Sequence, residues 1–363
     1  MADKIPVSVL TGFLGSGKST LLSDILQTEE FGNTAVIVNE FGEVGLDDFL
    51  VVHSDEQIVE MTTGCLCCTV RGDITETMLH LLENRKEGYI KAFDQIIIET
   101  TGLADPAPVI HTLTTHPQLM SHIKLNGALV TLDAVNGLHT LDQYDECVKQ
   151  IALADRIVLT KTDMGIDPAA LHDLNVKTRQ INQIAELIDK PTERKDLPAL
   201  FEFAELDEKA SHQDLSDWLG IKSNNHDHGY DHHHDHDHHD HGHSHDHHPH
   251  DHHHHGNIHT FTITIDEPVN QQAFVLAMQM LISNQGKDLL RMKGVINLAE
   301  VPERPYIIHG VQHVFHEPAE LPAWPDDNRQ TTIVFITRDI PKETIELYFK
   351  TWLNPDRVEM LQG

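Results

Sequence analysis

The sequence is short of positive charge. Of its 363 residues, 26 are Lys or Arg against 57 Asp or Glu, a formal net charge of −31. Nucleic acid and anionic membrane surfaces both call for clustered cations, so neither is expected as the main partner. Apolar runs long enough to cross a bilayer are also missing. The first residues carry no basic region followed by an apolar stretch and a small-residue cleavage site, so a cytoplasmic protein is expected. Cysteine is scarce, with four residues, and Cys65, Cys67 and Cys68 fall within four positions. That clustering excludes a dispersed disulfide framework and points to reduced, metal-directed thiols.

Histidine is the residue in excess. Thirty residues are His, and 18 of them lie between His226 and His255, with seven Asp and no Lys or Arg in that window. The rest of the chain still carries −24, so the acidity is global.

Three regions separate by composition. Residues 1–222 alternate short β-branched runs with helical patterns. Strands are expected at Ile5–Leu10, Thr34–Val38, Asp94–Glu99, Gly127–Leu132 and Arg156–Thr160. Helices are expected from Ser19, and at Asp73–Leu82, Ala107–Thr114, Leu141–Ala152 and Pro168–Ile184. This alternation implies an α/β domain with a mostly parallel sheet, helices on both faces and ligands at the carboxyl ends of the strands. Residues 223–256 are a His/Asp-rich linker with too few apolar residues to build a core. Residues 257–363 read as a smaller α+β domain. Its strands are expected at Thr260–Ile265, Val295–Glu300, Tyr306–Val311 and Thr332–Thr337, and its helices at Asn270–Ser283 and Lys342–Trp352.

Gly12-Phe13-Leu14-Gly15-Ser16-Gly17-Lys18-Ser19 matches G-x-x-x-x-G-K-[ST], directly after a strand and opening a helix. Gly12, Gly15 and Gly17 let backbone N–H groups of the loop, with those of Ser16 and Thr20, curl round phosphate. Lys18 reaches the β/γ-phosphates, and Ser19 is placed for Mg²⁺. An ordinary glycine-rich turn needs neither the Lys nor the Ser. A second apolar strand ends in Glu99-Thr100-Thr101-Gly102, where Glu99 can hold the Mg²⁺ water shell and the Gly102 N–H can approach the γ-phosphate. A third ends in Thr160-Lys161-Thr162-Asp163, a variant of the guanine-reading [N/T]KxD element. The Asp163 carboxylate accepts two hydrogen bonds from guanine, and the Lys161 stem packs along the base. Such bidentate readout discriminates by roughly 1–3 kcal/mol, by analogy with base readout in duplexes. Thr at 160 departs from the usual Asn.

Cys65-Leu66-Cys67-Cys68 follows Gly64, between the phosphate loop and Glu99. Three close thiolates can converge on Zn²⁺ or another soft ion, leaving a fourth position for Glu43, a His or a client. Cys147, alone in a helical stretch, reads as a core residue. Glu40 and Glu43, in Asn39-Glu40-Phe41-Gly42-Glu43, are candidates for Mg²⁺ contact or metal ligation, with solvated loop acids the equal alternative. The linker histidines, among them His232, His234, His236 and His252, are candidate ligands for Zn²⁺, Ni²⁺, Co²⁺ or Cu²⁺. Their binding should weaken as pH falls through roughly 6.5. His309, His313 and His316 read as surface or core-satisfied. Arg291 and Lys293 are candidates for contact with nucleotide or client.

Taken together, GFLGSGKST (Gly12–Thr20), NEFGE (Asn39–Glu43), GCLCC (Gly64–Cys68), ETTGLADP (Glu99–Pro106) and TKTD (Thr160–Asp163) resemble the CobW-type metallochaperone GTPases. RMKG (Arg291–Gly294) and HGVQ (His309–Gln312) resemble that family's C-terminal domain, so the likeness covers nearly the whole chain. The resemblance implies a P-loop NTPase fold, with GTP hydrolysis coupled to delivery of a transition metal, zinc foremost, to a client metalloprotein. It implies GTP, Mg²⁺ and Zn²⁺ (or Co²⁺ or Ni²⁺) as cofactors, and allows a nucleotide- or metal-dependent homo-oligomer. It also puts Asn182, in Ile181–Ala185, near the base. Where some members carry an acid just before NEFGE, this chain has Val38. A metal buffer with an uncoupled GTPase, a cobalt chaperone for cobalamin assembly and a small-metabolite kinase are the alternative readings.

Overall fold

The structure is a computed structural model that describes residues 4–39, 49–53, 56–61, 73–203, 211–220, 257–312, 314–315, 318–325 and 328–353. Eight strands of the first region form one sheet: β1 (Ile5–Gly12), β2 (Asn33–Asn39), β3 (Phe49–His53), β4 (Glu56–Met61), β5 (Gln95–Thr100), β6 (Ile123–Asp133), β7 (Arg156–Thr160) and β8 (Glu186–Asp189). Their order is β4-β3-β2-β5-β1-β6-β7-β8. Six run parallel, from β2 across to β8. β3 and β4 add an antiparallel edge that the sequence patterning does not reveal.

The central strands β1, β5 and β7 are rich in β-branched residues and buried on both faces, which is why they read as continuous apolar runs. On one face Leu10, Val36, Ile97, Leu129 and Val158 meet Leu21, Leu22 and Ile25 of α1 (Lys18–Ile25). On the other, Val9, Ile96, Ile98, Val130 and Ile157 belong to the larger core. Helices that close that core include α2 (Asp73–Glu87), α3 (Ala107–Thr115), α4 (Pro117–Met120), α5 (Gly137–Gln143), α6 (Asp145–Leu153), α7 (Pro168–Ile181) and α8 (His212–Leu219). The helix expected at Leu141–Ala152 is thus two. The chain breaks at Tyr144, whose extended backbone (φ −130°, ψ 114°) starts α6. The Tyr144 ring lies 4.6 Å from that of Phe13 in the glycine loop.

The second region is an antiparallel sheet of β9 (Ile258–Ile265), β10 (Leu289–Asn297), β11 (Pro305–Val311), β12 (Val314–Phe315), β13 (Ala319–Glu320) and β14 (Thr331–Arg338), with α9 (Gln271–Gln285) and α10 (Lys342–Trp352). Alternation splits its two faces. Met292, Ile296, Ile333 and Phe335 pack under Phe274, Met278, Ile345 and Phe349 of the two helices. Val295, Ile307, Val334 and Ile336 join the core of the first domain. β10 is therefore buried along its whole length and starts six residues before the expected Val295.

Arg291 and Lys293 explain that miss and correct their expected role. Both side chains point into the domain interface. Arg291 donates to Leu153 O and pairs with Asp155, and Lys293 donates to Trp218 O at 3.3 Å with its ammonium 4.8 Å from the Trp218 ring. Burial, then the neighbouring Arg291 charge, pushes the Lys293 ammonium down to about 7, against the pull of Asp155. Between that value and the ordinary 10.5 the unfolded chain binds more protons than the folded one. Stability therefore rises with pH across this window. Lys293→Met removes the group, so the dependence of the urea midpoint on pH between about 7 and 10 flattens relative to wild type. An unchanged slope in the variant assigns the dependence to other groups.

Candidate functional site

Four strand ends meet at one edge of the parallel sheet. β1 runs into the glycine loop, β5 into Glu99–Gly102, β6 into Asp133 and β7 into Thr160–Asp163. Central β1, flanked by β5 and β6, sets the loop between two acidic strand ends.

The loop needs its glycines. Gly12 has φ +142°, and a Cβ there would sit 2.4 Å from Thr131 Oγ1 and 2.5 Å from Thr131 O. Gly17, at φ +89°, begins α1 with no side-chain cap, and the first turn of α1 holds no acid. The opening N–H groups of this helix are therefore left for an anion. Threonines lash the loop to the sheet. Thr160 Oγ1 donates to Ser16 O at 2.7 Å, and Ser16 Oγ lies 2.6 Å from Thr131 Oγ1. Thr160 thus makes a direct tie to the loop from the first position of its turn, the place of the departure from Asn.

Lys18 is buried, and its Nζ donates to Gly12 O at 2.9 Å and Phe13 O at 3.2 Å. Burial draws its pKa down and the charge of Glu99 pulls it back. Ser19 Oγ donates to Glu99 Oε1 at 2.9 Å. A hydroxyl and a carboxylate so close offer hard oxygens of the kind that Mg²⁺ takes. Gly102 presses on the loop from below, and a Cβ on it would stand 2.6 Å from Leu14 N. Buried Gln150 of α6 holds that turn by donating to Gly102 O at 3.2 Å and Ala104 O at 3.0 Å.

At the β7 end, Asp163 is exposed and Lys161 stands at φ +60° with its Nζ 2.6 Å from Asp133 Oδ2. Asp133 and Gln150 carry no motif, and sequence reasoning missed both. An acid at the end of an apolar strand, the pattern that exposed Glu99, was also present at Asp133.

Asn182 is a correction. It is fully buried. Its Nδ2 donates to Ile151, Ala152 and Ala154 carbonyls at 2.8–3.3 Å, and its Oδ1 accepts from Ile184 N and Ala185 N. Every hydrogen-bonding position of the amide is spent, the nitrogen on the end of α6 and the oxygen on the turn between α7 and β8, so none is left for a base. Buried Cys147 is a core residue as expected, with burial pushing its thiol up to about 11. His309 faces Trp218, ring centroids 6.4 Å apart. Glu40, Glu43, Cys65, Cys67, Cys68, His232, His234, His236, His252, His313 and His316 lie outside the described residues. Among the described residues no group of three or more His, Cys, Asp or Glu is arranged to hold a metal, and no helix is long and apolar enough to cross a membrane.

Residues 6–189 match the CobW/HypB/UreG nucleotide-binding domain, and residues 258–353 match the cobalamin synthesis protein CobW C-terminal domain. The chain belongs to the CobW family. This CobW chain is 32% identical over 350 residues to the zinc chaperone YjiA of Escherichia coli (strain K12), covering 96% of this chain and 98% of the relative. It is 35% identical over 201 residues to zinc-regulated GTPase metalloprotein activator 1 of Schizosaccharomyces pombe, 53% of this chain and 47% of that one. The crystal structure of the Zn(II)-bound YjiA GTPase from E. coli superposes with a TM-score of 0.66 at 27% identity, covering 96% of this chain and 99% of that one. The two-domain CobW architecture is thus shared along nearly the whole chain.

Proposed function

We propose that this chain is a GTP-hydrolysing metallochaperone that carries zinc to a client metalloprotein. The observation that carries the reading is the Ser19–Glu99 hydrogen bond beside the Lys18 loop, which joins the phosphate loop to the Glu99–Gly102 turn. Lys18 and the first-turn N–H groups of α1 bind the phosphates. Ser19 and Glu99 would hold Mg²⁺, which would supply neutralising charge to the phosphates. Asp163 reads guanine. Arg156, Arg179 and Arg291 are each spent on carbonyls or carboxylates within the protein, so none of these three serves as a catalytic cation.

Cys65, Cys67 and Cys68 fall in the segment joining β4 to α2, between the phosphate loop and Glu99 in sequence. They hold the cargo, and the linker histidines raise its local concentration. Zinc is favoured over cobalt or nickel because YjiA and the S. pombe relative are both named for zinc. The client is a metalloprotein that receives the ion from these thiols. Replacing all three thiols (Cys65→Ser, Cys67→Ser, Cys68→Ser) in protein lacking residues 226–255 abolishes tight Zn²⁺ binding, measured by chelator competition, while GTP binding persists. Tight binding retained in that triple variant removes the thiols from the mechanism.

A zinc buffer is the second reading, favoured by the 18 clustered histidines. It requires high metal stoichiometry that ignores nucleotide.

A further inference from the structure

Among the described residues, the end of β6 holds a polar cluster that the phosphate chemistry does not use. Asp133 is 7% exposed. Its Oδ1 accepts from Val135 N at 2.8 Å and Asn136 N at 3.1 Å. Its Oδ2 accepts from Asn136 Nδ2 at 3.0 Å and Lys161 Nζ at 2.6 Å. Burial works against its ionisation, but the hydrogen bonds from Lys161 and Asn136, with the Asn136 and Val135 N–H groups, hold its pKa below the ordinary value. Asp133 is thus a carboxylate kept charged against burial.

The partner is equally unusual. Lys161 sits at φ +60°, a left-handed conformation that is strained for a non-glycine residue. Asp133 pairs with Thr160 across β6 and β7, and Ala134 N donates to Thr160 O at 3.0 Å. The two strand ends are therefore locked side by side, one holding the carboxylate and the other the lysine. Asp163 follows Lys161 by two residues in the turn that Met164 N closes on Lys161 O.

We propose that Asp133 is a positioning residue for base recognition, anchoring the Lys161 ammonium and so fixing the turn that presents Asp163 to guanine. With the ammonium tied, the Lys161 stem keeps one course along the edge of the site, and the strained backbone at 161 is held in place. This rests on the guanine reading given above. Asp133 itself touches no nucleotide.

Asp133→Asn separates the two duties of the carboxylate. It keeps an oxygen for Val135 N and Asn136 N and removes the charge that holds Lys161. Binding of GTP, ITP and ATP to wild type, D133N, K161A and the D133N/K161A double variant, with GTP turnover, forms the test. Wild type prefers GTP over ITP, which lacks the exocyclic amine. In D133N the KM for GTP rises about tenfold while kcat stays within about threefold, and the preference over ITP shrinks. In the K161A background D133N adds no further loss. The proposal is overturned if D133N binds GTP as wild type does, if it loses kcat with KM unchanged, or if its effect multiplies undiminished onto K161A. A wild-type protein without preference for GTP over ATP overturns the guanine reading itself, and the proposal with it. Thermal unfolding of each variant confirms the fold, so that a KM change is read on folded protein.

Discussion

Replacing Lys18 with Ala lowers kcat/KM for GTP by roughly 10²–10³-fold, the scale of removing one preorganised charge donor from a developing anion. The structure says why the lysine is ready for this task. Its ammonium is withdrawn from water and rests on the carbonyls of Gly12 and Phe13, at the lip of the loop. Burial makes the charge expensive, and the charge of Glu99 offsets part of that cost. An arriving phosphate brings the missing anionic partner, so binding relieves a desolvated cation as well as the loop's N–H groups. Lys18→Arg restores little, because the larger planar head does not fit where a point charge is buried at the loop mouth. Steady-state GTP hydrolysis by the two variants checks this. Wild-type turnover in Lys18→Ala contradicts the assignment of the phosphate site.

Asn182→Ala destabilises the fold by about 3 kcal/mol and leaves the choice between GTP and ATP unchanged. The alanine removes the partner of the Ala152 and Ala154 carbonyls and of the Ile184 and Ala185 N–H groups in a buried place, while Ile151 O keeps the Ala154 N–H. Each unmet group costs energy, and relaxation of the turn recovers only part. Urea unfolding reports the first effect and nucleotide competition the second. A base-contacting Asn182 gives the opposite pattern, with lost guanine preference and near-native stability.

Asn182 also marks the limit of what sequence makes legible. The phosphate loop is legible because its positive-φ glycines, its lysine and its serine stand at fixed spacing after one strand. Glu99 and Asp163 are legible because each caps an apolar run at the end where such sheets bind ligands. Asn182 looks like a loop polar residue, and only the carbonyls some 30 positions earlier reveal its role. Arg291 pairs with a residue 136 positions away, so its charge reads as surface until the second sheet is laid on the first domain. The break at Tyr144 is hidden for the same reason, since helical periodicity says nothing of a ring that must reach Phe13. Local rules place the chemistry, while contacts distant in sequence decide which polar residues are spent on structure.

The central claim is that nucleotide state controls the hold on the metal. Its most direct test is Zn²⁺ affinity by chelator competition in protein lacking residues 226–255, measured without nucleotide, with GDP and with a non-hydrolysable GTP analogue. The deletion removes 18 histidines, so that any metal they take up does not enter the measurement. The account predicts affinities that differ by tenfold or more between the GDP and GTP-analogue states, about 1.4 kcal/mol of coupling. Equal affinity in all three states contradicts it and leaves a metal buffer joined to an independent GTPase.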